Sequence, residues 1–311
     1  MHIKILSMEK LNKIQEEIEQ HETITIFRHQ FPDMDAIGSQ IGLKKALQSI
    51  YPEKKIYALG TMSKDDETMD SVDDETIKNS LAIVLDTANK ERIDDPRFML
   101  AKSRIRIDHH VPVETLASLE WLEPEASATC ELIALFFKTQ NLSIPKEAAQ
   151  YLYEGLVADN IRYTTSNTRP ESLLAGAYLI EQGADVQKAN DKNFGISLRD
   201  FRYETEVRNN ALYQEGVLYA IMNIESYEEE GLTFSQAKEK VYALSGVNDV
   251  KAWALFTEKE PNVFNASLRS RSLDVREIAA DFGGGGHTCA AGIKGLDQKQ
   301  VLQIIDRLKA L

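Results

Sequence analysis

LAIVLD (Leu81–Asp86) is five apolar residues in a row closed by an acid. Apolar residues at consecutive rather than alternate positions are what a short strand carries when both of its faces are covered. Working outward, the same arrangement recurs. TITIFR (Thr23–Arg28) lies upstream and runs into HQFPDMD (His29–Asp35), while RIRI (Arg104–Ile107) lies downstream and runs into Asp108, His109 and His110. Lys55–Leu59 is a further β-rich run. Helical spacing of apolar residues predicts helices over Met8–Gln20 (Leu11, Ile14, Ile18) and Ala36–Ile50, with others near 127–139, 146–157 and 171–183. Strands alternating with helices predict a parallel sheet with helices on both faces.

From 186 to about 213 the chain is helical and charged and lacks strand signals, which reads as a connector. The pattern restarts at Gly216. VLYAIMNI (217–224) is strand-like and Phe234–Ser245 helical; Val250–Thr257 and Asn262–Leu268 pair around a turn at Glu260 and Pro261. A helix over Val275–Phe282, the run Gly283–Gly286 with His287, and a final helix over Gln298–Leu311 complete the chain. The expected division is a parallel-sheet catalytic domain over 1–185, the connector 186–213 and a smaller α/β domain over 214–311, with the active site in the cleft between the two domains.

The 311 residues suffice for about two domains, each able to bury its own core. Lys and Arg number 36 against 49 Asp and Glu, a net charge of -13 that argues against a general duplex binder, whose affinity comes from many cations at phosphates. It leaves room for a small anionic substrate in a locally positive pocket. Cys130 and Cys289 form no C-x-x-C pair, which fits a reducing compartment. With no membrane-length apolar run, and a charged amphipathic start in place of a signal peptide, the expectation is a cytoplasmic protein.

The chemistry sits where the strands end. In an open parallel sheet ligands bind at the carboxyl ends of the strands, so His29, Asp33, Asp35, Asp86, Asp108, His109 and His110 can meet, joined by Asp159 after the helix 146–157. Taken singly, Asp86 reads as a turn or helix cap, and Asp33 with Asp35 as the cap of helix 36–50. Taken together, so many carboxylates repel one another unless a cation sits among them. Mixed carboxylate and imidazole donors suit Mn²⁺, Fe²⁺ or Co²⁺ better than Mg²⁺ or Ca²⁺. In the second domain, four glycines leave backbone N–H groups free to face an anion, and Arg269 and Arg271 offer bidentate grips on phosphate.

These motifs resemble those of the DHH phosphoesterases: H-x-x-P-D-x-D, a lone Asp after an apolar strand, D-H-H and a later Asp, with R-S-R and G-G-G-G-H similar to the DHH-associated C-terminal domain. Length, domain order and the segment DTAN-x-x-R-I-D-D (86–95) look most like the bacterial nano-RNase branch, the oligoribonucleases and 3′,5′-bisphosphate nucleotidases, some of which cleave pApA. The resemblance implies a phosphodiesterase that uses two Mn²⁺ ions and an activated hydroxide on very short oligonucleotides, pApA or pAp. His29, Asp33 and Asp86 would hold one ion, and Asp35, Asp86, His109 and Asp159 the other. His110, Asp108 and Arg162 would complete the catalytic set; Arg269, Arg271, Gly284, Gly285, Gly286 and His287 would bind substrate. Relatives often pair, so a homodimer is plausible, and no membrane or long duplex partner is implied.

Two departures stand out. D-N-I-R-Y (159–163) replaces the common D-T-G-R-F, and H-T-C-A-A-G (287–292) the usual H-P-x-A-S-G. The competing activities are a main activity on pAp and a nucleotide-sensing protein without turnover. A pyrophosphatase of the same superfamily fits poorly with the glycine loop, and a processive exonuclease would need a further basic domain.

Overall fold

Three strands at the centre of the first sheet deliver the chemistry. β1 (Thr23–Phe27), β2 (Lys55–Ala58), β3 (Leu81–Leu85), β4 (Ser103–Asp108) and β5 (Leu119–Leu122) are all parallel, in the order β2-β1-β3-β4-β5. A computed structural model describes residues 8–61 and 68–311; residues 1–7 of the amphipathic start lie outside that range. Because β1, β3 and β4 are neighbours running the same way, the residues after them emerge side by side at one sheet edge.

Two cores cover the sheet. On one face Ile24, Ile26, Leu81, Ile83, Leu85, Ile105 and Ile107 are buried under α1 (Met8–Gln20), α2 (Met34–Ile50), α4 (Thr129–Thr139) and α5 (Lys146–Asp159). On the other, Phe27, Ala82 and Val84 pack with Ile77 of the short helix α3 (Asp74–Lys78), with Phe98 of a 3-10 turn and with Ala101 just after it. Each large apolar side chain withdrawn from water contributes about 1.5–3 kcal/mol. All five β3 residues are buried, as their unbroken apolar run requires.

α2 and α5 touch through glycine. A Cβ on Gly38 would lie 2.5 Å from the Tyr151 carbonyl oxygen, and one on Gly155 2.8 Å from that of Met34. Two further helices, α6 (Pro170–Glu181) and α7 (Val186–Phe194), complete this unit, which ends at Gly195.

The second unit spans Ile196–Leu311. It holds α8 (Leu198–Asn209), β6 (Leu212–Gln214), β7 (Val217–Met222), α9 (Ile224–Glu228), α10 (Phe234–Glu239), β8 (Ala252–Glu260), β9 (Val263–Ser270), α11 (Arg276–Asp281), β10 (Gly285–His287), β11 (Ala290–Leu296) and α12 (Gln298–Lys309). The sheet runs β10-β11-β9-β8-β7-β6, with β7 and β8 parallel and the other pairs antiparallel. One face packs on α11 and α12 through Phe256, Leu268, Ile278 and Ile304. The other packs on α8–α10 through Leu255, Met222, Tyr203 and Ala237.

The stretch 186–213 is helical as far as Asn209 and then enters β6 at Leu212, and it divides: α7 packs on α5 in the first unit, and α8 belongs to the second. Its buried residues explain this, since Ala189 joins the first core, and Tyr203 and Val207 a core of the second. Part of the glycine run forms the edge strand β10, where backbone pairing with β11 overrides the weak β-propensity of glycine.

Candidate metal centre and substrate face

His29 stands two residues past β1. Its Nδ1 lies 2.7 Å from the Gln30 carbonyl, which makes Nδ1 a donor and leaves Nε2 as the nitrogen that faces Asp33 Oδ2 at 3.7 Å and Asp86 Oδ2 at 3.4 Å. Below it Arg28, fully buried, donates to the His29 carbonyl at 3.0 Å and to Asp94 at 2.9 Å.

Asp33 fills two roles with two oxygens. Oδ1 caps α2, accepting from the Asp35 and Ala36 amides at 3.1 and 3.0 Å, while Oδ2 turns to His29. Asp35, in the first turn of α2, is 2 % exposed and accepts from the Thr129 and Cys130 amides at 2.6 and 2.9 Å. Those are orphan donors at the start of α4, whose N-cap position is Ala128 with no capping side chain. Asp35 therefore caps a distant helix, and α4 in turn fixes its carboxylate.

Asp86 directly follows β3 with a φ of 55°, a left-handed conformation that Asp tolerates better than most residues. Its Oδ1 accepts from Thr129 Oγ1 at 3.1 Å and lies 3.4 Å from His109 Nε2 and 3.6 Å from His110 Nδ1. His109 Nε2 also faces Asp35 at 3.8 Å and Asp159, the last residue of α5, at 3.5 Å. Three sets, His29–Asp33–Asp86, Asp35–His109–Asp159 and Asp86–His109–His110, each offer donor atoms within 4.8 Å of one another, as a metal ion requires.

The electrostatics are those of a site built for cations. Burial and the neighbouring Asp86 push the Asp35 carboxyl well above its usual range. Burial also takes Asp159 up to about 6, against the pull of His109. Burial lowers the affinity of His29 and His109 for a proton, but hydrogen bonds to the surrounding carboxylates outweigh it and hold both near about 10. Asp86 sits far below the usual range because bonds to His109 and His29 overcome its burial. Protons on the imidazoles do what a divalent ion would do: they compensate carboxylates that cannot all stay charged alone.

Asp108 is fully buried with Arg106, whose Nη2 donates to Oδ2 at 2.7 Å. Oδ1 accepts from the His110 amide at 3.1 Å and faces the Nδ1 of its half-buried ring at 2.8 Å. Arg162 lies on the turn after Asp159, its guanidinium 4.2 Å from the Phe194 ring centre and within 3.4 Å of Asn190 Oδ1. That turn carries three successive left-handed residues, Ile161, Arg162 and Tyr163, and buried Asn160 secures it by accepting from the Tyr163 amide at 2.8 Å.

In the second unit Trp253, Arg269, Ala290 and His287 are paired across β8, β9, β11 and β10, so their side chains share one row on one face. Burial draws the Arg269 guanidinium below its ordinary range. The glycines border this row: a Cβ on Gly286, at φ 146°, would sit 2.7 Å from Ala291 Cα, and one on Gly285 would meet nothing within 4 Å. Arg271 leaves the row, its Nη2 donating to the Val247 carbonyl at 2.8 Å.

Sequence reasoning missed Thr129, Cys130, Arg106, Arg28 and Asp94, all of which orient the centre. The amides of residues 129 and 130 carry no side-chain signal; the alternation in RIRI, however, put Arg106 on the same strand face as Asp108.

Residues 23–156 match the DHH family, N-terminal domain, and residues 214–311 the DHHA1 domain. The bifunctional oligoribonuclease and PAP phosphatase NrnA of Bacillus subtilis is 30% identical, over 94% of this chain and 95% of its own. The chain belongs to the DHH family. Another relative, the uncharacterized protein MG371 homolog of Mycoplasma pneumoniae, is 30% identical over 95% of this chain and 93% of its own. The crystal structure of an exopolyphosphatase-related protein from Bacteroides fragilis has the same fold, with a TM-score of 0.77 at 22% identity, covering 99% of this chain and 98% of that one. The DHH motif of the family is Asp108, His109 and His110 here.

Proposed function

We propose that this DHH chain is a metal-dependent phosphodiesterase that hydrolyses very short oligonucleotides, including pApA-type dinucleotides, to 5′-mononucleotides. The observation that carries the reading is the meeting of His29, Asp33, Asp35, Asp86, His109 and Asp159 at the ends of three neighbouring parallel strands and two helices. A second activity, removal of phosphate from pAp, is favoured by the Bacillus subtilis relative, whose name carries both.

His29, Asp33 and Asp86 are assigned to one divalent ion, and Asp35, Asp86, His109 and Asp159 to the other, with Mn²⁺ the ion that best suits mixed oxygen and imidazole donors. The donors fit: His29 presents Nε2 because Nδ1 is occupied, and Asp33 keeps one oxygen free of its capping bonds. Two such ions supply Lewis-acid polarisation of the phosphoryl group and a strong nucleophile from water at neutral pH.

The protein's own groups do the rest. The α4 amides stop the Asp35 carboxylate from swinging. Asp108, a positioning residue, holds His110 by Nδ1, and His110 is assigned to the scissile phosphate through Nε2. Arg162, on the turn after Asp159, is assigned a supporting charge for the phosphoryl oxygens. Arg269 and His287 on their shared row, with Arg271 and Gly284–Gly286, are assigned to substrate binding. Two free thiols suit a cytoplasmic setting.

The test is release of AMP from pApA, pAp, a pentanucleotide and a 24-mer, with Mn²⁺ or with EDTA. Mn²⁺-dependent release that falls steeply with length is expected. No release, or a 24-mer cleaved as fast as pApA, refutes the reading.

A further inference from the structure

The metal centre has an apolar rim that phosphate chemistry does not explain. Phe31 is 77% exposed, Val111 72% and Ile161 49%. Each follows a centre residue closely: Phe31 lies midway between His29 and Asp33, Val111 directly after His110, and Ile161 two positions after Asp159. Because the donor atoms in each set lie within 4.8 Å of one another, these neighbours border the same centre.

Burial does not account for their placement. An exposed phenylalanine withdraws little surface from water. Phe31 and Ile161 also hold left-handed backbones, φ 52° and 47°, which bulky and β-branched residues avoid. Strain kept beside a reactive centre points to a role there.

The turn that carries Phe31 is also fixed. The Gln30 amide donates to the Arg92 carbonyl at 2.6 Å, His29 bridges to Ile93, and Pro32 restricts the next step. A rigid aromatic at the mouth of a phosphate-cleaving centre matches one part of a nucleotide, its base. Every base has a π-face, so stacking binds it without demanding a sequence. In a chain of net charge -13, such contact adds affinity that the overall field cannot.

We propose that Phe31 is the platform on which a nucleobase flanking the scissile phosphate stacks, with Val111 and Ile161 as its apolar flank. The inference rests on the function proposed above and adds the feature that would separate nucleotides from phosphate or pyrophosphate as substrates.

The test compares wild type, Phe31→Ala and Phe31→Trp on pApA and on two analogues in which one or the other base is replaced by hydrogen. Mn²⁺ affinity is measured by calorimetry in parallel. On pApA, Phe31→Ala should lose about tenfold in kcat/KM, mostly through KM, and Phe31→Trp should stay within about twofold of wild type. On the analogue lacking the stacked base, the penalty of Phe31→Ala should shrink to under about twofold, with Mn²⁺ affinity equal in all three proteins. Unchanged kcat/KM in Phe31→Ala on pApA, an equal loss on every substrate, or weakened Mn²⁺ binding overturns the inference while leaving the phosphodiesterase reading standing. Failure of the wild type to cleave any of them removes both.

Discussion

Replacing Asp108 by Asn tests how the centre is held. Both carboxylate oxygens act as acceptors: Oδ2 takes Arg106 Nη2 at 2.7 Å, and Oδ1 takes the His110 amide at 3.1 Å with its ring nitrogen at 2.8 Å. An amide has one acceptor and one donor end, so either rotamer sets N–H against N–H on one side. The substitution also leaves Arg106, fully buried, without its close counter-ion; Glu120 stands at 3.8 Å. Uncovering a buried charge in this way costs about 3–5 kcal/mol.

Trp121 of β5 pairs with Ile107 beside this site, and the chain has only one other tryptophan, Trp253. Urea unfolding followed by Trp121 fluorescence in a Trp253→Phe background therefore reads the first unit. Asp108→Asn should lose that much stability and also lower kcat on pApA, because His110 loses its orientation. Adding Arg106→Met should recover part of the stability and none of the kcat. The pH dependence has a definite sign. Burial raises the Asp108 carboxyl, but His110 and Arg106 outweigh it and set it below its ordinary 3.8. Its contribution is thus present above that value and fades as pH falls through the folded pKa, so the gap between wild type and variant should narrow in acid. A variant within about 1 kcal/mol of wild type at pH 7, with full kcat, would show that this buried pair does not brace the centre.

Other tests follow from the same geometry. Since His29 and His109 hold protons up to about pH 10 in the metal-free protein, Mn²⁺ binding at pH 8 should expel protons and tighten as pH rises; calorimetry in two buffers of unlike ionisation heat checks this, and a buffer-independent heat contradicts it. Asp86→Ala should abolish turnover by taking a donor from both proposed ions, so Mn²⁺-dependent activity retained in that variant would rule out sharing. At Ile161, with φ 47°, the ordinary preference for alanine over glycine should invert, Ile161→Gly being more stable than Ile161→Ala by about 1 kcal/mol in urea unfolding. Gly286→Ala should disturb the β10–β11 pairing and raise KM with little change in Mn²⁺ affinity, as measured by steady-state kinetics and calorimetry.

Much of this was readable in the chain because strand ends mark themselves. TITIFR, LAIVL and RIRI are short and apolar enough to be strands, and each is followed by Asp or His, residues with no reason to gather except shared chemistry. What escaped was carried by backbone or by tertiary placement. Asp35 is held by main-chain amides of residues 129 and 130, which any residue but proline supplies. Arg106 alternates with Ile105 and Ile107 in RIRI, which by itself does not show that it is fully buried, as it is because a second core covers that face. β5 escaped because Glu120 interrupts a stretch of only four residues, and β10 because two of its three are glycine.

The contact between α2 and α5 reaches further than packing. Asp35 lies one helical turn before Gly38, and Asp159 one turn after Gly155, so two carboxylates facing His109 ride on helices whose separation is set where side chains are missing. A single methyl group at either position is a wedge that widens the bite of the site. The spacing of the proposed metal donors is thus written partly in two residues outside the donor set.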